Sequence, residues 1–236
     1  MRQDVLDRAD YLAAWSRLHG GYDPKASRLV LGWLSVTYAV ARPVARLGVA
    51  PGAISLVGPA LGGGAVALAS LGGRWLVAAA ILVFLSGLLD SLDGAVALLR
   101  GRVTDWGYVL DSVADRCTDA LYLLALWRVG APAWAAVATM FLTFLQEYAR
   151  ARAAAAGGAD GGGMREIGVV TVWERPTRVL VVGMALLAAG VLHGVGPSAS
   201  EWADLAVGAA LLLATVGALQ LLVVVRRRLM PAPRAH

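Results

Sequence analysis

Cysteine and histidine are nearly absent from this chain. The single Cys117 excludes an internal disulfide and says nothing about compartment. His19, His193 and His236 lie far apart and lack ligand spacing, so a histidine-based metal site is not expected. Charge is scarce as well. Asp, Glu, Lys and Arg together make up 16% of the 236 residues, too few for a soluble domain of this length. The opening stretch "MRQDVLDRADYLAAWSRLHGG" is charged and amphipathic and lacks an apolar h-region, so a cleavable targeting sequence is not expected. No internal repeat is visible.

What fills the chain is hydrocarbon: 58% of residues are hydrophobic and the mean hydropathy is +0.66. The apolar residues come in runs of about 18 to 25, the length that crosses a bilayer core of roughly 30 Å. The expectation is an all-α, polytopic membrane bundle. Six spans are expected near 51–72, 75–99, 106–128, 131–152, 178–196 and 202–225. Residues 1–47 form a cytosolic N-terminal segment. Within it 28–47, with Arg42, Pro43 and Arg46, is expected to lie along the interface as an amphipathic helix. Residues 48–228 form the membrane domain and 229–236 a cytosolic tail. The run "AAAAGGADGGGMRE" inside the 153–177 loop is of low complexity and reads as flexible.

A net charge of +5 could suggest nucleic acid, but in a membrane chain basic residues report topology. Six spans place both termini on one side. Lys25, Arg28, Arg42, Arg46, Arg100, Arg102, Arg150, Arg152, Arg165, Arg175, Arg178 and Arg226, Arg227 and Arg228 fall on that side. Arg74 and Arg128 fall on the other. The first side is therefore expected to be cytoplasmic.

Against this background the stretch "LLDSLDGAVALLRGRVTDWGYVLDSVADR" at 88–116 stands out. Asp90, Asp93, Gly94 and Ala97 are spaced i, i+3, i+4 and i+7, one helix face; Gly107, Asp111 and Asp115 are spaced i, i+4 and i+8, again one face. Asp93 lies ~10 Å along the axis from Arg100, and Asp111 ~8 Å from Trp106, so the two sets meet at similar depth below the cytoplasmic surface. A carboxylate at mid-bilayer costs about 2.5–3.5 kcal/mol, and four together repel one another. Protonation, arginine pairing or a divalent metal can neutralise them. Arg116 can serve one or two of them. Hard oxygen donors suit Mg²⁺ or Mn²⁺, and paired ions suit phosphoryl transfer. Small residues on the same faces let a bulky ligand approach the backbone. A polar packing cluster and a transporter's ion or proton relay are the other readings of the spacing.

The stretch resembles the signature of the CDP-alcohol phosphatidyltransferase family: D-x-x-D-G-x-x-A-R, eight residues, then G-x-x-x-D-x-x-x-D. Asp90, Asp93, Gly94, Ala97, Gly107, Asp111 and Asp115 occupy its fixed positions, and Leu98 replaces its arginine. "GVAPGAISLVG" at 48–58 resembles the family's entry to the first span, with Gly52 where asparagine is common. The resemblance implies an enzyme that transfers a phosphatidyl group from CDP-diacylglycerol to an alcohol and releases CMP. It implies that Asp90, Asp93, Asp111 and Asp115 hold two divalent ions. Asp115 is then the general base, and Gly94, Ala97 and Gly107 make room for the CDP group. Arg150, Arg152, Arg175 and Arg178 resemble residues that bind a phosphorylated acceptor, although 202–225 lacks the basic residue that inositol phosphate users tend to carry in the last helix. Glu147 and Tyr148 are candidate hydroxyl contacts. Asp119 is expected in an ion pair, with Arg116 or Arg100, or in the cavity. The resemblance also suggests a homodimer. A soluble CDP-alcohol donor, or a non-catalytic lipid-binding member because of Leu98, are the rival readings.

Overall fold

The computed structural model describes residues 5–18, 21–157 and 170–230. The glycine-rich run expected to be flexible falls mainly at 158–169, outside the described residues. The described residues are helical throughout, with short connections. The helices are α1 (Arg8–Leu18), α2 (Arg28–Arg46), α3 (Pro51–Leu71), α4 (Trp75–Leu99), α5 (Asp105–Val129), α6 (Ala133–Gly157), α7 (Arg175–Val191) and α8 (Ala199–Leu229). A short 3₁₀ turn, Pro24–Ala26, precedes α2.

Local chemistry sets most of the boundaries. Asp7 accepts the Asp10 amide at the start of α1, and Ser27 accepts the Val30 amide at the start of α2. Gly72 and Gly73, with φ of 68° and 57°, separate α3 from α4, and Gly101, at 59°, follows α4. Thr104 accepts the Gly107 amide at 3.0 Å and so caps α5. The last helix begins in a capping box, in which Ser198 and Glu201 satisfy each other's backbone amides.

Helices stand at all six expected span positions, with ends that differ by a few residues. Three of them, α3, α4 and α8, are long and apolar enough to cross a membrane. Asp105, Asp111, Asp115, Arg116, Asp119 and Arg128 make α5 more polar than those three. The N-terminal region contains two α-helices rather than one, because Asp7 caps an additional short helix ahead of the expected amphipathic one.

The chain divides into two compact units. The first takes residues 1–63 and 85–118, the second 64–84 and 119–236. The first unit is built on Tyr11, Leu34, Tyr38, Ala41, Ile54, Leu92, Val96 and Leu99. Here α1 packs on α2. Arg42 lies over the Tyr38 ring at 5.8 Å, and Tyr11 and Tyr38 meet at 5.5 Å.

The second unit has a larger core of small and branched residues, including Ala79, Ala80, Val83, Leu126, Val182, Leu186, Ala206 and Val207. In it α8 packs on α6 and α7. Trp173, 2% exposed, seals a second cluster with Ala210 and Ala214 and donates its indole N–H to Thr143 at 2.9 Å. Two glycines of α7 permit close approach to α4. A Cβ on Gly183 would lie 2.6 Å from the Phe84 ring, and one on Gly190 would lie 2.7 Å from the Val77 backbone nitrogen. The second contact is with backbone, which cannot swing aside. Gly190→Val is therefore expected to destabilise the protein by ~1–3 kcal/mol through overpacking. A lowered melting temperature in detergent, with Gly208→Ala as an uncrowded control, checks this.

Candidate functional site

In the first unit, the end of α4 supplies Asp90, Asp93, Gly94 and Ala97, and the start of α5 supplies Gly107, Asp111 and Asp115. Asp90, Asp111 and Asp115 converge. One carboxylate oxygen from each lies within 4.8 Å of the others, and all three side chains are half-buried. Asp93 is placed differently. It is 5% exposed and accepts a hydrogen bond from the Ser55 hydroxyl at 2.6 Å, while its carboxyl also lies beside Asp111. Three of the four expected metal ligands thus form one cluster, and the fourth is oriented next to it by a side chain of α3. Arg116 lies 3.8 Å from Asp115.

The small residues of the motif behave unequally. A Cβ on Gly94 would meet nothing within 4 Å, so the α4 backbone is open there. Gly107 is closer to its neighbours, since a Cβ would meet the Thr104 hydroxyl at 3.1 Å. Leu98, where the resemblance leads one to look for arginine, packs against the apolar core of the first unit. Arg100 instead ties the end of α4 to the chain before α3, donating to the Val49 carbonyl at 2.6 Å.

Three hard oxygen donors at this separation fit a divalent cation of the Mg²⁺ or Mn²⁺ kind. Both take carboxylates readily, whereas softer metals favour nitrogen and sulfur.

The four arginines expected to bind an acceptor lie in the second unit. Arg150 grips Glu174 with both terminal nitrogens, at 2.6 and 3.2 Å, and Thr171 bonds the same carboxylate through its amide and hydroxyl. Arg178 is 3% exposed. It donates to Asp119 at 2.8 Å, to Glu147 at 3.2 Å and to the Trp173 carbonyl at 2.9 Å. Arg152 is exposed, and Arg175, which opens α7, is half-buried. Asp119 does sit in an ion pair, with Arg178, an arginine that its neighbourhood in sequence does not suggest. Sequence reasoning missed Ser55 and the Glu174 grip, because both partners come from distant helices with no local spacing to mark them.

The sequence profile that describes CDP-alcohol phosphatidyltransferases matches residues 49–225. The chain belongs to this family. A curated relative, the archaetidylinositol phosphate synthase of Aeropyrum pernix, is 30% identical over 72% of this chain and 80% of its own length. The phosphatidylinositol phosphate synthase of Mycobacterium marinum is 35% identical over 66% of this chain and 64% of its own. Among solved structures, the phosphatidylinositol phosphate synthase of Mycobacterium tuberculosis with CDP-DAG bound superposes with a TM-score of 0.66 at 25% identity. It covers 86% of this chain and 98% of the other. The same synthase in complex with manganese and citrate gives 0.64 at 26% identity, covering 85% and 92%. As a CDP-alcohol phosphatidyltransferase, the chain is a metal-dependent transferase of phospholipid biosynthesis, and Asp90, Asp111 and Asp115 form a cluster that could hold a metal ion.

Glu174 precedes α7. Burial works to raise the pKa of its carboxyl. The hydrogen bonds from Arg150 and Thr171, with the Arg150 charge, outweigh that and hold it below the ordinary value. A depressed folded-state pKa stabilises the fold above the unfolded value and is lost as pH falls through the folded one. Wild-type melting temperature should therefore fall below about pH 4.5 more steeply than that of Glu174→Gln, which lacks this titration. Parallel slopes for the two proteins would remove Glu174 from the acid response.

Proposed function

We propose that this CDP-alcohol phosphatidyltransferase moves a phosphatidyl group from CDP-diacylglycerol to a phosphorylated alcohol of the inositol phosphate kind and releases CMP. The observation that carries the reading is the convergence of Asp90, Asp111 and Asp115 within 4.8 Å. The names of the relatives and the CDP-DAG in the Mycobacterium tuberculosis synthase support the choice of donor and acceptor.

Asp90, Asp111 and Asp115 would hold a divalent ion, with Asp93 beside them completing the donor set for a second. When bound, such ions supply positive charge to the pyrophosphate oxygens of the donor. The protein's own part is positioning and proton transfer. Ser55 fixes Asp93, and the Thr104 cap fixes the start of α5. Asp115, one turn beyond Asp111, takes the proton from the acceptor hydroxyl. The acceptor oxygen then forms its bond to the β-phosphorus, the phosphoanhydride bond breaks, and CMP departs with the electron pair. Gly94, Ala97 and Gly107 leave room for the CDP group, and the open backbone at Gly94 supports this.

For the acceptor phosphate, Arg152 is the most accessible of the four candidate arginines, Arg150, Arg152, Arg175 and Arg178. Arg150 would have to exchange Glu174 for it, and Arg178 is engaged by Asp119 and Glu147. In this reading α3 to α8 all cross the membrane, with the site and both termini on the cytoplasmic side. The three apolar spans and the distribution of arginine support it.

Purified protein supplied with Mg²⁺ or Mn²⁺ and CDP-diacylglycerol should release CMP when inositol 1-phosphate is added, and less with glycerol 3-phosphate, inositol or serine. Asp111→Asn and Asp115→Asn should each lower CMP release by about 10²–10⁴-fold. Retained turnover in either variant would sink the mechanism. CMP release from a soluble CDP-alcohol without lipid would reassign the donor. Gly94→Val should raise the donor KM by about tenfold with a smaller change in kcat, as expected for lost ground-state room.

A further inference from the structure

In the first unit, the N-terminal arm of residues 5–18 packs on the same stretch of α4 that carries Asp90 and Asp93. Chain ends stay loosely ordered unless something ties them down, and this one is tied. Arg8 donates to the Ser35 hydroxyl at 2.7 Å, and the Tyr38 hydroxyl donates to the Leu6 carbonyl at 3.4 Å. The Leu6 amide donates at 3.3 Å to the carbonyl of Leu99, the last residue of α4. Tyr11 is 1% exposed and shares one buried core with Leu92, Ala95, Val96 and Leu99. The residues matched by the family profile begin at 49, so the arm is not part of that pattern.

The end of α4 has two faces with different work. At about 100° per residue, Asp90, Asp93, Gly94 and Ala97 centre ~160° away from Leu92, Ala95, Val96 and Leu99. The carboxylate face thus looks away from the face that the arm backs. The last turn is held as well. The carbonyls of Val96, Ala97 and Leu98 receive the amides of Arg100, Arg102 and Gly101, and the Leu99 carbonyl receives Leu6. Water serves a helix end equally, so capping alone does not call for α1. The carboxylates do. Rolling α4 by about 10° carries an oxygen ~6 Å from its axis through ~1 Å, beyond the ~0.5 Å within which a metal constellation works.

We infer that the N-terminal arm is a positioning element for the metal centre: Tyr11 backs α4 and Leu6 holds its last turn, so that Asp90 and Asp93 keep their direction toward Asp111 and Asp115. The arm acts through α4 and supplies no ligand. This role rests on the carboxylate cluster being a metal centre, as proposed above, but not on the identity of donor or acceptor.

The test uses the purified full-length protein in detergent, titrated with Mn²⁺ and followed by the paramagnetic resonance of the unbound ion. Helix content, melting and CMP release are recorded on the same samples. Tyr11→Ala removes the side chain behind α4 and should lower Mn²⁺ affinity about 10- to 100-fold. Its kcat should fall by about 100-fold, with the donor KM changing by less than about threefold. Tyr11→Phe, which keeps the ring, should bind Mn²⁺ within about threefold of wild type. Leu6→Pro deletes the amide that reaches Leu99 and should weaken Mn²⁺ binding by up to about tenfold. Leu186→Ala, which opens a cavity in the core of the second unit, should lower the melting temperature yet leave Mn²⁺ affinity within about twofold. Wild-type Mn²⁺ affinity in folded Tyr11→Ala, or an equal loss in Leu186→Ala, would overturn the inference and leave the arm as packing alone. Should Tyr11→Ala fail to fold, Leu6→Pro decides on the same terms, since it leaves the core side chains in place. If wild-type protein binds Mn²⁺ but releases no CMP, the proposed reaction fails while Mn²⁺ affinity still decides the role of the arm. If wild-type protein binds no Mn²⁺, both fall.

Discussion

Carboxylates repel one another, and each loses hydration when apolar helices close around it. In a chain where 58% of residues are hydrophobic, both penalties fall on the same two turns of α4 and α5. Asp90, Asp93, Asp111 and Asp115 persist there because the fold spreads the burden. Asp93 is stabilised by the Ser55 hydroxyl, and Asp115 has Arg116 at 3.8 Å. In the proposed reading a divalent cation neutralises the remaining negative charge. The cap at Thr104 and the packing of Leu98 hold the two helix segments that bring these oxygens together.

Charge in the second unit is handled by a different rule. There two arginines have acidic partners: the buried Arg178 takes Asp119 and Glu147, and the half-buried Arg150 takes Glu174. Such pairs add little net stability, because desolvation cancels much of the attraction, but they fix direction well. They constrain three helices and the short connection from Thr171 to Glu174. That connection is further held by Trp173 on Thr143 and by the Gln220 side chain on the Val172 amide. A basic surface that looked uniform in sequence therefore contains arginines with acidic partners, Arg150 and Arg178, beside the exposed Arg152.

Much of this was legible in the sequence where the signal is periodic. The helices at 75–99 and 105–129 followed from apolar run length, and the grouping of Asp90, Asp111 and Asp115 followed from helical spacing on two consecutive helices. What spacing could not supply was partnership between distant helices. Ser55 is 38 residues from Asp93, and Arg178 is 59 from Asp119. The resemblance offers Arg150 and Arg178 as phosphate ligands, and sequence alone does not show that Glu174 and Asp119 lie opposite them. Leu98 was visible as a departure from the family pattern, but its role in the first unit's core emerged only from packing.

The central claim is that these carboxylates exist to hold a divalent ion at the reacting pyrophosphate. Anomalous diffraction from crystals grown with Mn²⁺ tests it most directly. The account predicts an anomalous peak within about 2.2 Å of oxygens from Asp90, Asp111 and Asp115, lost when Asp111 is replaced by Asn. Fully occupied manganese elsewhere, with no peak among these three side chains, would contradict it.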